Sequence, residues 1–352
     1  MRLDTKRFLM SSAPHIRAEE NTRSIMMDVI IALVFPLIMA VYFFGWRALS
    51  LTGISVLSCI FFERLGNCLA KKEKTTGDLS AVVTGMILAL TLPVATPLWI
   101  PALGGAFAII VVKQLYGGPG KNFLNPALTA RAFLLSFPSL ISLYTKPSLT
   151  SGALPIFADI STESISPDFI ASVTPRGKMK LGILPGVSMG SGDVVSELRD
   201  VVVGNVAGAI GEVSAVVIVA AAIYLLVRRV ISWHIPVSFV GTVAALTLLF
   251  PRGGNPAWLW MLYSVCSGSL LFGAAFMATD YTTSPVTSRG KLVYGALCGV
   301  LTVLIRYFGK HEDGVIYAIL VMNCATAVVD RYIRPRRFGV IKTKRKEKPE
   351  NE

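Results

Sequence analysis

Ten apolar runs divide the chain, at about 25–44, 48–63, 79–96, 98–116, 126–144, 204–227, 232–250, 257–279, 291–308 and 313–330. Most approach the roughly 20 residues that an α-helix needs to cross a bilayer core. Polar and basic residues collect between these runs and in the two tails. The pattern predicts an all-α polytopic membrane protein of ten transmembrane helices. Two runs depart from simple spans. Run 79–96 is short and ends in "TLPVATP", where Pro93 and Pro97 break helical hydrogen bonding. Run 126–144 carries Arg131 and Pro138. Both are expected to be broken or re-entrant segments lining an internal cavity.

Composition supports the bilayer reading. The chain has 352 residues, of which 53% are hydrophobic and 16% charged, and its mean hydropathy is +0.62. A soluble fold of this balance would expose large apolar patches. The formal net charge of +13 could suggest nucleic acid, but the basic residues follow membrane topology rather than forming a binding face. The first run lies behind Glu19, Glu20 and Arg23 and is long enough to span, so it reads as a retained helix and not as a cleaved signal.

With ten crossings both tails share one side. That side holds 24 of the 34 Lys and Arg, against 9 on the other, with Arg131 inside a span. The excess marks the cytoplasmic face. The organisation expected is a cytoplasmic tail (1–24), a first bundle half (25–144), an external loop (145–203), a second half (204–330) and a basic cytoplasmic tail (331–352). The last tail anchors orientation, with docking to acidic lipid or an acidic partner as the alternative. None of the five cysteines forms a CxxC pair, and the three histidines have no metal spacing. The cysteines are expected to be buried as small apolar side chains.

The two halves echo each other. Trp99 stands 27 residues before Pro126, and Trp258 stands 27 before Pro285. Each proline lies in a polar hinge, "NFLNPALTAR" or "DYTTSPVTSR". Membrane folds built from repeats place their sites at the repeat interface.

Candidate chemistry concentrates at these hinges. In "KQLYGGPGKNFLNPALTAR", Gly117, Gly118 and Gly120 allow close backbone approach, and Lys121, Asn122 and Asn125 offer polar contacts suited to a ligand with ring carbonyls and nitrogens. Asn125 before Pro126 also suits a helix start. In "MATDYTTSPVTSRGK", Asp280, Thr282, Thr283 and Ser284 form either another cap or, together with the Asn segment, one polar site. Gly204, Gly208 and Gly211 are spaced like a close-packing helix face. Glu212, just inside an apolar run, is a candidate for ion or proton handling, with a carboxylate near the positive end of its own helix as the plainer reading. Asp28 is a weaker candidate of the same kind. No GxxxxGK[ST] motif occurs, so an ATP-driven pump is not expected.

"KQLYGGPGKNFLNPALTARAFL", "TDYTTSPVTSRGKLVYG" and "DRYIRPRRFG" resemble the D subunits of the Rnf-type ion-translocating electron transport complexes. The similarity extends to the B subunits of the sodium-pumping NADH:quinone oxidoreductases and covers nearly the whole membrane region. The resemblance implies a subunit of a translocase of the bacterial or archaeal inner membrane, in which electrons pass between reduced ferredoxin and NAD while sodium ions or protons move. Partners would be the other membrane, flavin-bearing and iron–sulfur subunits, lipid, and a flavin transferase during maturation.

In that family an external threonine carries FMN through a phosphoester. The family's attachment pattern places an Asp six residues before that threonine, as Asp168 stands before Thr174 in "DFIASVTPRG". Ala171, Ser172 and Val173 depart from the Ser/Thr, Gly and Ala of the pattern, and Ser172 is a neighbouring hydroxyl. The expected context is an exposed turn, with Arg176, Lys178 and Lys180 offsetting phosphate charge. The resemblance also implies non-covalent riboflavin held at Asn122 and Asn125. Two rival readings carry no covalent flavin: a small-solute channel or transporter, and a scaffold subunit.

Overall fold

A computed structural model describes residues 21–69, 76–118, 120–137, 141, 144, 174–180, 194–212, 214–252, 256–309 and 313–333. Most of both predicted tails and most of the 145–203 loop lie outside these residues.

Two long helices open the fold, α1 (Thr22–Phe44) and α2 (Trp46–Leu69), joined at Gly45. Gly45 has a φ of 74°, which glycine adopts without steric cost. Next come the short α3 (Ser80–Leu90), then α4 (Trp99–Ala106), which widens into a π-helix over Phe107–Gln114, then α5 (Pro126–Leu134). The long central loop contributes α6 (Pro175–Lys180) and α7 (Val194–Val203). The second half contains α8 (Ala215–Val227), α9 (His234–Leu249) and α10 (Ala257–Cys266). It continues with α11 (Leu270–Phe272), extended by a π-helix over Gly273–Met277, and ends with α12 (Ser288–Phe308) and α13 (Val315–Tyr332).

Among the described residues, α1, α2, α12 and α13 are long and apolar enough to cross a bilayer. A fifth span is reached if α10 and α11, bent by 59° at Ser267–Ser269, count as one. Exposed Ile31, Ile38 and Tyr42 on α1, with Leu57 and Phe61 on α2, give the apolar outer surface that lipid requires. The chain is a multi-pass membrane protein.

Three predicted runs are only partly helical. Of 79–96, residues 80–90 are helical, and among the described residues of 126–144, residues 126–134 form one helix, 135–137 leave it, and Ile141 is helical again. Among the described residues of 204–214, none is α-helical, and Ile210–Glu212 form a single 3₁₀ turn. Gly204 has a φ of 112° and closes α7, its N–H bonding to the Asp200 carbonyl at 2.7 Å. The predicted glycine face of Gly204, Gly208 and Gly211 is therefore not a helix face. The irregular segment instead meets the one after α3. Pro93 pairs antiparallel with Ala209, and the Ile210 N–H donates to the Leu92 carbonyl at 3.0 Å. Buried Arg47 satisfies two more freed carbonyls, those of Val94 (2.9 Å) and Thr96 (3.2 Å). Broken backbone is tolerated at membrane depth when it is satisfied in this way.

Gly211 is still closely packed, since a Cβ there would meet Leu90 Cβ at 2.7 Å, and a second close glycine contact lies on α12. A Cβ on Gly295 would strike Ser238 and the Ile235 carbonyl oxygen at 2.8 Å. One on Gly299 would meet Thr242 Cβ at 2.7 Å and the Phe239 carbonyl oxygen at 3.0 Å. This GxxxG pair lets α12 and α9 approach backbone to backbone. Asp28, read from the sequence as a weak ion-path candidate, instead clamps α1 to α8. Both its oxygens accept from Arg228, at 3.1–3.3 Å, and Oδ1 also accepts from the Tyr224 hydroxyl at 3.2 Å. Cys59 and Cys298 are buried as expected, whereas Cys68 and Cys324 are exposed.

The repeat is visible in the element order. In the first half the helix that starts at Trp99 runs directly into a π-helix, and in the second α10, which starts beside Trp258, is followed across the break by α11 and its π-helix; each half then has a polar loop and a helix capped by a polar side chain. Asn125 caps α5 and Thr287 caps α12.

Candidate functional site

The two polar loops come together. After the π-helix of α4 the chain reverses through Gly117, Gly118 and Gly120, all with φ between 86° and 105°. The Gly118 N–H returns to the Lys113 carbonyl at 3.0 Å. The turn delivers Asn122 and Asn125 to the head of α5. Asn125 Oδ1 accepts from the N–H groups of Ala127 (3.0 Å) and Leu128 (3.4 Å), so it is the N-cap that the Asn-Pro pair predicts. Its Nδ2 donates to the Met277 carbonyl, at the end of the second π-helix. Asn122 is 7% exposed, and its Oδ1 is buried with no hydrogen-bond partner. That absence holds among the described residues, and a buried amide oxygen of this kind costs free energy unless a ligand or water pairs it.

From the other half, Asp280 follows the second π-helix and accepts from the Thr282 N–H (3.4 Å) and hydroxyl (3.2 Å). Tyr281 donates its hydroxyl to the Val230 carbonyl, fixing this loop to the segment before α9. Asp280 keeps some surface toward the pocket. Burial pushes its carboxyl above the ordinary aspartate range, against hydrogen bonds from Thr282 that pull it down.

A pocket lies between the loops. Lys113, Asn122 and Asn125 line one side, Asp280 and Thr282 the other. Val83, Ile87, Leu225 and Phe276 give it apolar walls. An apolar cavity with a few convergent polar groups is the usual form of a cofactor site. Two residues singled out from the sequence stand apart. Lys121 is exposed, its stem lying over Gly117, and Gly118 supports the turn without lining the cavity. The basic residue in the pocket is Lys113, whose ammonium donates to Glu63 Oε1 and to Ser80 Oγ at 2.8 Å.

Thr174 heads α6. Its Oγ1 accepts from the Gly177 N–H at 3.0 Å, and the residue is buried rather than in an exposed turn. Helix α6 is held through Met179, which packs with Val201, Trp260 and Tyr263. The Ser267 hydroxyl donates to Met179 Sδ at 3.7 Å, at the break between α10 and α11. Asp168 and Ser172 lie outside the described residues.

Glu212 does not line Asp280's pocket. It sits in a 3₁₀ turn before α8, within electrostatic reach of Asp313, Arg131 and Arg306. Arg306 pairs with Asp313 at 3.1 Å and donates to the Ser264 carbonyl at 3.0 Å. Asp313 also accepts from the Ser269 N–H at 2.9 Å, at the helix break. Arg131 is 3% exposed, and its Nε and Nη1 have no partners among the described residues. Sequence reading missed the Lys113–Glu63 and Arg306–Asp313 pairs. For the first, the signal was there in isolated charges inside "AIIVVKQ" and "CIFFERL", which are costly in lipid unless paired.

Residues 9–339 match the family described as NQR2, RnfD, RnfE. The chain belongs to this family. It is 41% identical over 340 residues to the D subunit of the Na(+)-translocating ferredoxin:NAD(+) oxidoreductase complex of Acetobacterium woodii, covering 96% of this chain and 98% of that one. It is 33% identical to the D subunit of the proton-translocating ferredoxin:NAD(+) oxidoreductase complex of Clostridium ljungdahlii, with 94% and 96% covered. It is 34% identical to the D subunit of the ion-translocating oxidoreductase complex of Cronobacter sakazakii, with 94% and 99% covered.

Proposed function

We propose that this chain is the D subunit of a redox-driven ion pump of the inner membrane. In this reading it carries electrons between reduced ferredoxin and NAD as part of a complex with membrane, flavin-bearing and iron–sulfur subunits. Its termini lie in the cytoplasm and the Thr174 segment outside. The observation that carries the proposal is the meeting of two repeat-related polar loops around one pocket, in a chain whose relatives are named as subunits of such complexes.

The pocket suits riboflavin. Asn122 offers an unpaired buried oxygen and an amide donor, which complement the imide edge of an isoalloxazine. Asn125 is largely committed to its cap and its tie to Met277, so it shapes the pocket while Asn122 takes the polar contact. When bound, the flavin supplies one- and two-electron chemistry, and the protein orients it and tunes its electronics.

FMN is proposed on Thr174 through a phosphoester at Oγ1. The buried hydroxyl implies an order of events. A flavin transferase must reach Thr174 before α6 docks through Met179 onto Trp260 and Tyr263. Glu212 and Asp280 are the candidate carboxylates for moving the cation. They sit in separate places, so the cation would meet them in succession.

The test is ultraviolet fluorescence of a denaturing gel of the purified complex. A band at 37.9 kDa that is lost in Thr174→Val supports the electron-carrying reading over a channel or a scaffold. A dark wild-type band from cells with active transferase would overturn it. A band that survives Thr174→Val but is lost in Ser172→Ala moves the attachment to Ser172.

A further inference from the structure

Lys113 and Glu63 form a buried ion pair, 2% and 1% exposed, to which the proposed function assigns no role. Its orientation is specific. Lys113 lines the pocket and Glu63 does not, so the cation is the member of the pair on the cavity wall.

The arrangement is fixed from several sides. Lys113 lies on the π-helix Phe107–Gln114, and π-helical turns recur at functional sites. One turn along α2 from Glu63, Asn67 Oδ1 accepts from Gln114 Nε2 at 3.1 Å. A Cβ on Gly66 would meet Gln114 Cγ at 3.0 Å, so α2 and the π-helix are in close contact. Ser80 Oγ, at the start of α3, accepts a second Lys113 proton at 2.8 Å. An ammonium has three donors, and these two contacts leave one. Among the described residues, the other charged side chain on the pocket wall is Asp280, on the opposite loop.

The geometry points to Lys113 as a tuning cation for the pocket's redox cofactor, with Glu63 as its counter-charge and Ser80 as its positioning residue. This rests on the reading of a flavin in the pocket. Electrons reach that flavin from an upstream carrier of the complex, which is oxidised as the flavin is reduced. Two electrons taken up with one proton add a net negative charge to the cavity. A fixed cation in a medium of low dielectric favours that charge, and a nearby anion opposes it. Lys113 therefore raises the flavin's reduction potential and Glu63 lowers it. A purely structural ion pair would hold α2 against the π-helix and give no opposed effects.

The test uses the intact complex with Lys113→Met, Glu63→Gln and Lys113→Arg. Two quantities are measured: non-covalent flavin released on extraction, and the midpoint potential of the redox wave that extraction removes. The expected result is retained flavin in all three, a potential shifted down in Lys113→Met, shifted up in Glu63→Gln, and close to wild type in Lys113→Arg. Unshifted potentials, or shifts of the same sign in Lys113→Met and Glu63→Gln, overturn the tuning role. Loss of flavin from any of the variants also overturns it, because the pair then governs only assembly of the pocket. A wild-type complex without non-covalent flavin overturns the pocket reading itself, and this inference with it.

Discussion

The side-chain amide of Asn125 donates to the backbone carbonyl of Met277, joining two positions 152 residues apart. Its other end caps α5. One side chain thus fixes both loops that wall the pocket. Asn125→Ala should lower stability by about 1 kcal/mol through the lost cap, and should release riboflavin as the loops separate. Asn122→Ala should release riboflavin with little change in stability, since its oxygen has no protein partner to lose. Thermal unfolding of the detergent-solubilised complex and assay of extracted flavin would separate the two. Equal flavin recovery from the Asn122→Ala, Asn125→Ala double variant and wild type would remove the site assignment.

Glu212 and Asp280 make different predictions for coupling. Glu212→Gln should reduce cation uptake by vesicles at unchanged electron flux, since it alters a carboxylate among Arg131, Arg306 and Asp313. Asp280→Asn changes the pocket wall as well, so it should alter flavin retention along with uptake. Unchanged uptake per electron in Glu212→Gln would take that residue out of the path.

Asp28 should behave as a clamp. Its partner Arg228 has a half-exposed side chain, so solvent screening limits the pair to about 0.5–1 kcal/mol. Asp28→Asn is expected to lower the unfolding temperature slightly and leave ion uptake per electron unchanged. A large transport defect without loss of stability would return Asp28 to the ion path.

The glycines offer a contrast in packing. Gly299→Val forces bulk against Thr242 and the Phe239 carbonyl, and overpacking of this kind costs about 1–3 kcal/mol. Yield and thermal stability of the complex should both fall. Gly208→Ala, with open space around its Cβ position, should leave both unchanged.

The long helices were legible because twenty apolar residues have few alternatives in a bilayer. Residues 204–214 were not, because hydropathy assumes that a membrane segment bonds its own backbone. Here Ile210 bonds to Leu92 from the other half, a pairing no local pattern encodes. Asn125 was readable as a cap because Asn-Pro is a local signal. Thr174-Pro175 carries the same signal, yet the following glycine suggested a turn. Lys113 was passed over in favour of Lys121 because its partner Glu63 lies on another helix. The choice between the two lysines depends on which one the π-helix turns inward.

The bridge between Pro93 and Ala209 also bears on how the protein is made. Helix α3 has 11 residues, which rise about 16 Å, roughly half of a hydrocarbon core about 30 Å thick. As the chain leaves the ribosome, α3 cannot settle in lipid as a finished span, and the Leu92 carbonyl waits for a partner synthesised far later. The first half therefore stays an unfinished insertion intermediate until the second arrives. The expected consequence is coupled biogenesis of the two halves, with the Leu92 carbonyl lacking its Ile210 partner in any chain arrested between them.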